Sequence, residues 1–223
     1  HANYSFDGNA MASRHKKDLP AKYADYPSDV RAFIACQYEV ELMLQALVGR
    51  LEETGELENT VFAMAADHYP YALSDSGLAF LYNLPENGIR NNPDLYRNRF
   101  IVWCASMKAP VEVDTPCSTI DILPTLSNLF GLEYDSRLLM GSDILADGEH
   151  FALLKINGWS WVSAYGTYSS GSKRFTPGEG CALTEEEQAD HVKRVNALIK
   201  GKTVYSKQIL DKDYYKHIYK FIT

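Results

Sequence analysis

Apolar positions along the chain fall into blocks of different period. Between Ser28 and Gly55, the residues Val30, Phe33, Ile34, Leu44, Leu47, Val48 and Leu51 recur at helical spacing on one stripe. Ser28 is a good N-cap residue, Asp29 suits the first turn, and Gly55 is placed to stop the helix. The period then changes. Thr60 to Ala66 reads Thr-Val-Phe-Ala-Met-Ala-Ala, with no polar alternation. A strand covered on both faces reads this way, and such strands are usually parallel. Phe100 to Ser106 (Phe-Ile-Val-Trp-Cys-Ala-Ser) predicts a second one. Residues 69–98 form a long connection broken by Gly77, Pro85, Gly88 and Pro93. Connections of that length carry function or hold short helices. Ser118 to Phe130 predicts a helix bent at Pro124 and stopped by Gly131. Residues 1–27 are polar and irregular.

Helix, strand, strand, helix is the alternation of a layered α/β fold. Past Gly148 the texture changes. Phe151 to Ile156 and Trp159 to Tyr165 flank Asn157-Gly158, a two-residue hairpin signal. Thr184-Glu185-Glu186-Glu187 is a capping box. It opens a helix carrying Val192, Val195, Leu198 and Ile199, predicted to end at Gly201. The tyrosines of the tail, Tyr214, Tyr215 and Tyr219, read as packing residues. The expected division is an α/β core over 1–148 and a small hairpin-plus-helix subdomain over 149–223.

Composition narrows the function classes. Apolar residues are 46% and charged residues 23% of 223, as in soluble globular proteins. Lys and Arg number 22 against 29 Asp and Glu, a net charge of −7. A nucleic-acid binder would need a basic stripe to displace counterions from phosphates, so none is expected as a partner. No apolar run approaches the roughly 18 residues of a membrane span. The opening His1-Ala2-Asn3-Tyr4-Ser5 has neither the basic nor the apolar region of a signal peptide. With no initiator Met, the chain is expected to be a piece of a longer protein or a processed product. The cysteines Cys36, Cys104, Cys117 and Cys181 contain no C-x-x-C pair. Cys36 and Cys104 read as core residues, and a bridge from Cys104 to Cys117 stays open.

Candidate chemistry concentrates at Asp67-His68, directly after the first strand. In open α/β sheets ligands bind just beyond the carboxyl ends of strands. A carboxylate and an imidazole emerging there can reach one divalent cation, and that donor pair suits Mn, Zn or Fe better than Ca. Neighbouring residues on a strand point to opposite faces, so the chain must already be turning for both to converge. Tyr69-Pro70 permits the turn. The dipeptide Asp-His also occurs at 190–191. There it reads as a solvated pair on the polar face of the last helix, so sequence spacing alone marks neither pair. His15 reads as a surface residue, and His150 and His217 as structural. The acidic run Glu185 to Glu187 meets its helix dipole. No nucleophile elbow, P-loop, H-E-x-x-H or G-x-G-x-x-G pattern occurs.

Several stretches resemble one superfamily. Leu-Glu-Asn-Thr-Val-Phe-Ala-Met-Ala-Ala-Asp-His-Tyr (57–69) resembles the second metal-ligand strand of the sulfatase and alkaline phosphatase superfamily. Asn98-Arg99-Phe100-Ile101-Val102-Trp103 resembles its next core strand, and Ser118 to Gly131 its S-x-x-D-x-x-P-T helix. Met140-Gly141-Ser142-Asp143-Ile144-Leu145, Val204-Tyr205-Ser206 and Asp213-Tyr214-Tyr215 are similar to the lipoteichoic acid synthase branch. The resemblance implies an α/β/α sandwich of the alkaline phosphatase/sulfatase type, here with its N-terminal strands missing. It implies an extracellular catalytic domain attached to membrane helices and holding one Mn²⁺ or Mg²⁺.

The activity it implies is transfer of glycerophosphate from phosphatidylglycerol, through a threonine nucleophile, to a polyglycerophosphate acceptor. By position, Asp67 and His68 match the last two metal ligands, and His1 matches a histidine that binds the substrate phosphate. The threonine and a glutamate ligand are expected upstream of His1, and a serine found in some members is Ala72 here. Nearby Ser74 does not replace it. Two other readings compete: a sulfatase or phosphodiesterase acting by hydrolysis, and a non-catalytic packing or interaction module.

Overall fold

The computed structural model describes residues 3–219. The chain forms two compact units, His1–Val111 and Glu112–Thr223.

In the first unit, a short helix α1 (Ala10–Arg14) precedes the long helix α2 (Ser28–Thr54). Strand β1 (Val61–Ala65), helix α3 (Asp75–Tyr82) and strand β2 (Phe100–Cys104) follow. Two 3-10 turns, Ile89–Asn91 and Pro93–Tyr96, fill the long connection, as its length led us to expect. Helix α2 ends as predicted, with Gly55 left-handed at φ 73°. Its start differs by one position: Ser28 is the first helical residue, and the position before it is Pro27. The Asp29 carboxylate instead takes on tertiary work, described below.

The core of this unit is Val30, Leu73, Leu78, Ile89 and Leu95. Each fully buried Leu or Ile contributes about 1.5–3 kcal/mol of apolar burial. The helical stripe is buried only over its first part. Beyond Cys36 it opens to solvent, and Leu47 is 42% exposed.

The strands depart from expectation. β1 and β2 pair antiparallel, with Val61 opposite Cys104 and Ala65 opposite Phe100. They are not covered on both faces either: Phe62 is buried, but Ile101 is 48% and Trp103 38% exposed. An uninterrupted apolar run shows that both faces tolerate cover. It carries no information on strand direction, which is set by where the connection returns.

In the second unit, Ser118 caps a 3-10 turn (Thr119–Asp121) that runs into α4 (Ile122–Leu129). Pro124 falls in the first turn of α4, where a missing N–H costs nothing, so it starts the helix and does not bend it. Gly131 closes the segment at φ 64°. Four strands then form one antiparallel meander: β3 (Phe151–Lys155), β4 (Trp159–Ser163), β5 (Gly166–Ser169) and β6 (Arg174–Pro177).

The Asn157-Gly158 hairpin joins β3 to β4 as predicted, with both residues at positive φ. β5 and β6 were not expected, because their sequence is polar and interrupted by glycine. One of those glycines is what closes the corner. At Gly166, φ 147°, an added Cβ would sit 2.3 Å from the Thr176 carbonyl.

Helix α5 (Glu185–Asp211) packs on the sheet, with Val195 and Ile199 against the fully buried Trp161. The capping box at Thr184 and Glu187 is present. The helix does not stop at Gly201. That position is exposed with open space around it, so glycine only lowers helix propensity there. A final helix, α6 (Tyr214–Tyr219), carries Tyr214 and Tyr215 outside the core, 43% and 36% exposed. Fold class is as read, α/β, with a four-stranded sheet where a hairpin was expected.

Candidate functional site: a carboxylate–imidazole pair at the end of β1

The chain leaves β1 at Ala65 and turns at once. The Ala66 carbonyl accepts a hydrogen bond from Asn98 Nδ2 at 2.9 Å. Asp67 and His68 follow, and their side chains converge: His68 Nε2 lies 3.5 Å from Asp67 Oδ1. The other imidazole nitrogen, Nδ1, donates to the Tyr69 carbonyl at 2.7 Å. A ring that donates from Nδ1 in its neutral form carries its lone pair on Nε2, the atom that faces the carboxylate. Both groups are open to solvent, with side-chain exposures of 80% for Asp67 and 39% for His68.

Tight turns hold the segment that follows. Tyr71 N–H bonds to the Tyr69 carbonyl and Leu73 N–H to the Pro70 carbonyl. Arg90 spans the stretch, donating to the carbonyls of Tyr71 (3.1 Å) and Leu73 (3.0 Å) and to Asp75 Oδ1 (2.8 Å). Burial disfavours its charge, but hydrogen bonds to Tyr69 and Asp75 outweigh this and raise its pKa. Ser74 N–H and Oγ–H both donate to Asp29 Oδ2. That Oγ also accepts from Gly77 N–H as the N-cap of α3. Ser74 is therefore an anchor for α3, in agreement with leaving it out of the chemistry.

One aromatic ring stands beside the pair. The Tyr71 ring stands 4.7 Å from that of His68. Burial raises the Tyr4 phenol pKa, helped by Cys36, Tyr71 and Asp67.

A carboxylate oxygen and an imidazole lone pair at this separation can both touch one cation whose bonds are about 2 Å long. One carboxylate oxygen and one imidazole nitrogen make up only part of a coordination shell. Among the described residues, no group of three or more His, Cys, Asp or Glu assembles around it.

The other residues singled out by the sequence pattern fall elsewhere. His1 lies outside the described residues. His15 is not on the surface: it is 5% exposed, between Asp18 and Glu39. The second Asp-His pair is not solvated as a pair. Asp190 is exposed, but His191 is 4% exposed and meets Ser163 Oγ at 3.1 Å. The signal was present in the spacing, since His191, Val195 and Ile199 sit four apart on the stripe that faces the sheet. All four cysteines are free thiols.

The S-x-x-D-x-x-P-T stretch is structural. Asp121 accepts from Ser118 N–H and Ser142 N–H, and Thr125 Oγ1 accepts from Ile144 N–H. Sequence reasoning missed Arg90 and Asn98, which lie in loops with no periodic pattern to single them out.

A family model described as Sulfatase matches residues 3–132. Lipoteichoic acid synthase 2 of Bacillus subtilis (strain 168) is 24% identical over 198 residues, covering 88% of this chain and 29% of its own length. Lipoteichoic acid synthase-like YvgJ of the same organism is 27% identical over 146 residues, covering 63% of this chain and 24% of its own. The chain thus spans less than a third of the curated relatives it matches. The crystal structure of the lipoteichoic acid synthase LtaP from Listeria monocytogenes superposes with a TM-score of 0.62 at 18% identity. The match covers 87% of this chain and 50% of that one, and it is a likeness of fold.

Proposed function

This chain belongs to the sulfatase family, and from that premise we propose that it is part of a metal-dependent phosphotransferase. The reaction is transfer of glycerophosphate from phosphatidylglycerol to a polyglycerophosphate (lipoteichoic acid) chain. Asp67 and His68 are this chain's metal ligands, His1 binds the substrate phosphate, and a threonine outside residues 1–223 is the nucleophile. The working place is the extracellular face of a bacterial membrane. No helix among the described residues is long and apolar enough to cross a membrane, so the membrane helices of this reading belong outside them.

One observation carries the reading: Asp67 Oδ1 and His68 Nε2 converge to 3.5 Å at the mouth of β1. The two relatives with lipoteichoic acid synthase names support the choice of substrate class. When bound, Mn²⁺ or Mg²⁺ supplies Lewis acidity toward the nucleophile and the phosphoryl oxygens. The chain's own residues present and orient the donors. Tyr69 fixes the His68 tautomer through its carbonyl, and Asp67 supplies negative charge. Their exposure leaves room for a lipid headgroup.

Calorimetric Mn²⁺ titration tests this. Affinity is weak in this chain, because two protein donors hold a metal poorly without the rest of the shell. Asp67→Ala abolishes it and Asp190→Ala leaves it unchanged. Equal behaviour of the two variants removes the reason for choosing the first pair. The chain alone does not turn over phosphatidylglycerol analogues, and turnover would refute a nucleophile outside it.

The family match favours a second reading, hydrolysis of a sulfate ester or phosphodiester. In the longer protein, release of the free group without transfer to an acceptor would select it. A non-catalytic module predicts no divalent-ion affinity anywhere.

A further inference from the structure

We infer that Asn98 and Arg90 are positioning residues that hold Asp67 and His68 in their convergent pose without touching either. The inference rests on the reading of Asp67 and His68 as metal ligands and deepens it.

Consecutive residues of an extended chain point to opposite sides. Asp67 and His68 therefore share one side only if the backbone leaves the strand geometry at that point and is kept from relaxing back. The structure supplies one anchor on each flank of the pair. On the upstream side, Asn98 Nδ2 donates to the carbonyl of Ala66, the residue directly before Asp67. Asn98 is itself fixed, because its Oδ1 accepts the N–H of Arg99 at the entry to β2. The end of β1 is thus tied to the residues that lead into β2, just beyond the last ladder pair, Ala65 and Phe100.

On the downstream side, the Arg90 guanidinium donates to two carbonyls, those of Tyr71 and Leu73, and to the Asp75 carboxylate. A planar fork with several fixed donors suits this multiple contact, where an ammonium group would reach one acceptor at a time. Arg90 is held from behind, since its own carbonyl accepts from Tyr96 O–H at 2.9 Å. Between the anchors the pair is suspended on four residues of backbone, stiffened by the bonds from His68 Nδ1 and Tyr71 N–H to the Tyr69 carbonyl.

Removing outer partners that orient metal ligands typically costs 10–100-fold in metal affinity. The test uses the 223-residue chain and Mn²⁺ alone. Binding is followed by paramagnetic broadening of the His68 ring resonance, which detects weak occupancy at this one site. Folding of each variant is followed by circular dichroism without metal. Asn98→Ala and Arg90→Lys are expected to raise the Mn²⁺ concentration for half-broadening about tenfold or more, at temperatures where the far-ultraviolet spectrum is that of the parent.

Parent-like broadening in both variants, with loss of broadening in Asp67→Ala, overturns the positioning role and leaves the metal site standing. Broadening that survives Asp67→Ala, or is absent from the parent at millimolar Mn²⁺, overturns the site reading and this inference with it. Should Arg90→Lys fail to fold, Asn98→Ala carries the test alone, because the Asn98 side chain is exposed and its loss does not open the core.

Discussion

Asp121 Oδ1 accepts the backbone N–H of Ser142 at 2.8 Å, across 21 residues of chain. Its other oxygen accepts Ser118 N–H at 2.8 Å. One buried carboxylate thus ties the turn that opens α4 to the Met140–Leu145 segment. Thr125, one turn on, adds a second tie: its Oγ1 donates to the Asp121 carbonyl and accepts Ile144 N–H. These two stretches, recognisable as separate sequence motifs, form one hydrogen-bonded unit.

Asp121→Ala leaves two partly buried backbone N–H groups without their acceptor. The expected loss is roughly 2–4 kcal/mol of unfolding free energy, read from urea denaturation. Thr125→Val removes the second tie and costs about 1–2 kcal/mol. The double variant should lose less than the sum, since each tie holds the same segment. Additive losses would show the two ties to be independent.

Two glycines in this unit respond with opposite signs to the same substitution. At Gly141 an added Cβ would stand 2.0 Å from the Ile120 carbonyl oxygen, and backbone cannot step aside cheaply. Gly141→Ala is expected to destabilise by about 2 kcal/mol or more. At Gly201, inside α5, nothing lies within 4 Å. Gly201→Ala is expected to stabilise by about 0.5–1 kcal/mol through helix propensity. Thermal melts of the two variants check both signs, and a loss at Gly201 would contradict a continuous helix through it.

Elements whose signal is local were legible in the sequence, and contacts across long separations were not. The Asn157-Gly158 turn, the Thr184–Glu187 capping box and the Gly55 stop each depend on a few neighbouring residues, and each is present. Strands β5 and β6 carry too little apolar pattern to announce themselves, and they exist because Gly166 lets one backbone approach another. The direction of β1 against β2 is a tertiary fact with no local signature. At the site, Asp67-His68 was legible from its place after an apolar strand, but Asn98 and Arg90, which act from 32 and 17–19 residues away, were not.

The two Asp-His pairs make a control for each other. His191 is buried against Trp161, Tyr165 and Phe175, while Asp190 faces solvent. His191→Ala is expected to cost roughly 2–3 kcal/mol in urea, from the cavity and the lost bond to Ser163. Asp190→Ala should fall within about 0.5 kcal/mol of the parent. The first pair should behave oppositely: His68→Ala leaves stability near the parent, because its ring is partly exposed and outside the core. A large stability loss at His68 would mean that the pair is built for folding and not for a ligand.

Two buried histidines should titrate on opposite sides of the ordinary histidine value of 6.5. His15 bonds to Asp18 through Nδ1 at 2.7 Å and to Glu39 through Nε2 at 2.9 Å. The hydrogen bond to Asp18, then that to Glu39, outweigh burial and raise its pKa. Its share of stability is complete below 6.5 and is lost as pH rises through the raised folded value. Glu39, lowered chiefly by its bond to His15, adds stability above its ordinary 4.5 and loses it as pH falls through its lowered folded value.

His191 has the opposite sign. Burial lowers its pKa, and Glu149 pulls it back only in part while Arg194 pushes it further down. The unfolded chain takes up this proton more readily, so stability declines as pH falls below 6.5 toward the lowered folded value. Proton NMR of the histidine Hε1 resonances reads both directly. His15 should show a midpoint above 6.5 that drops in Asp18→Asn, and His191 a midpoint below it that is indifferent to that variant. Coincident midpoints for the two rings would mean that neither the carboxylate clamp on His15 nor the apolar wall around His191 survives in solution.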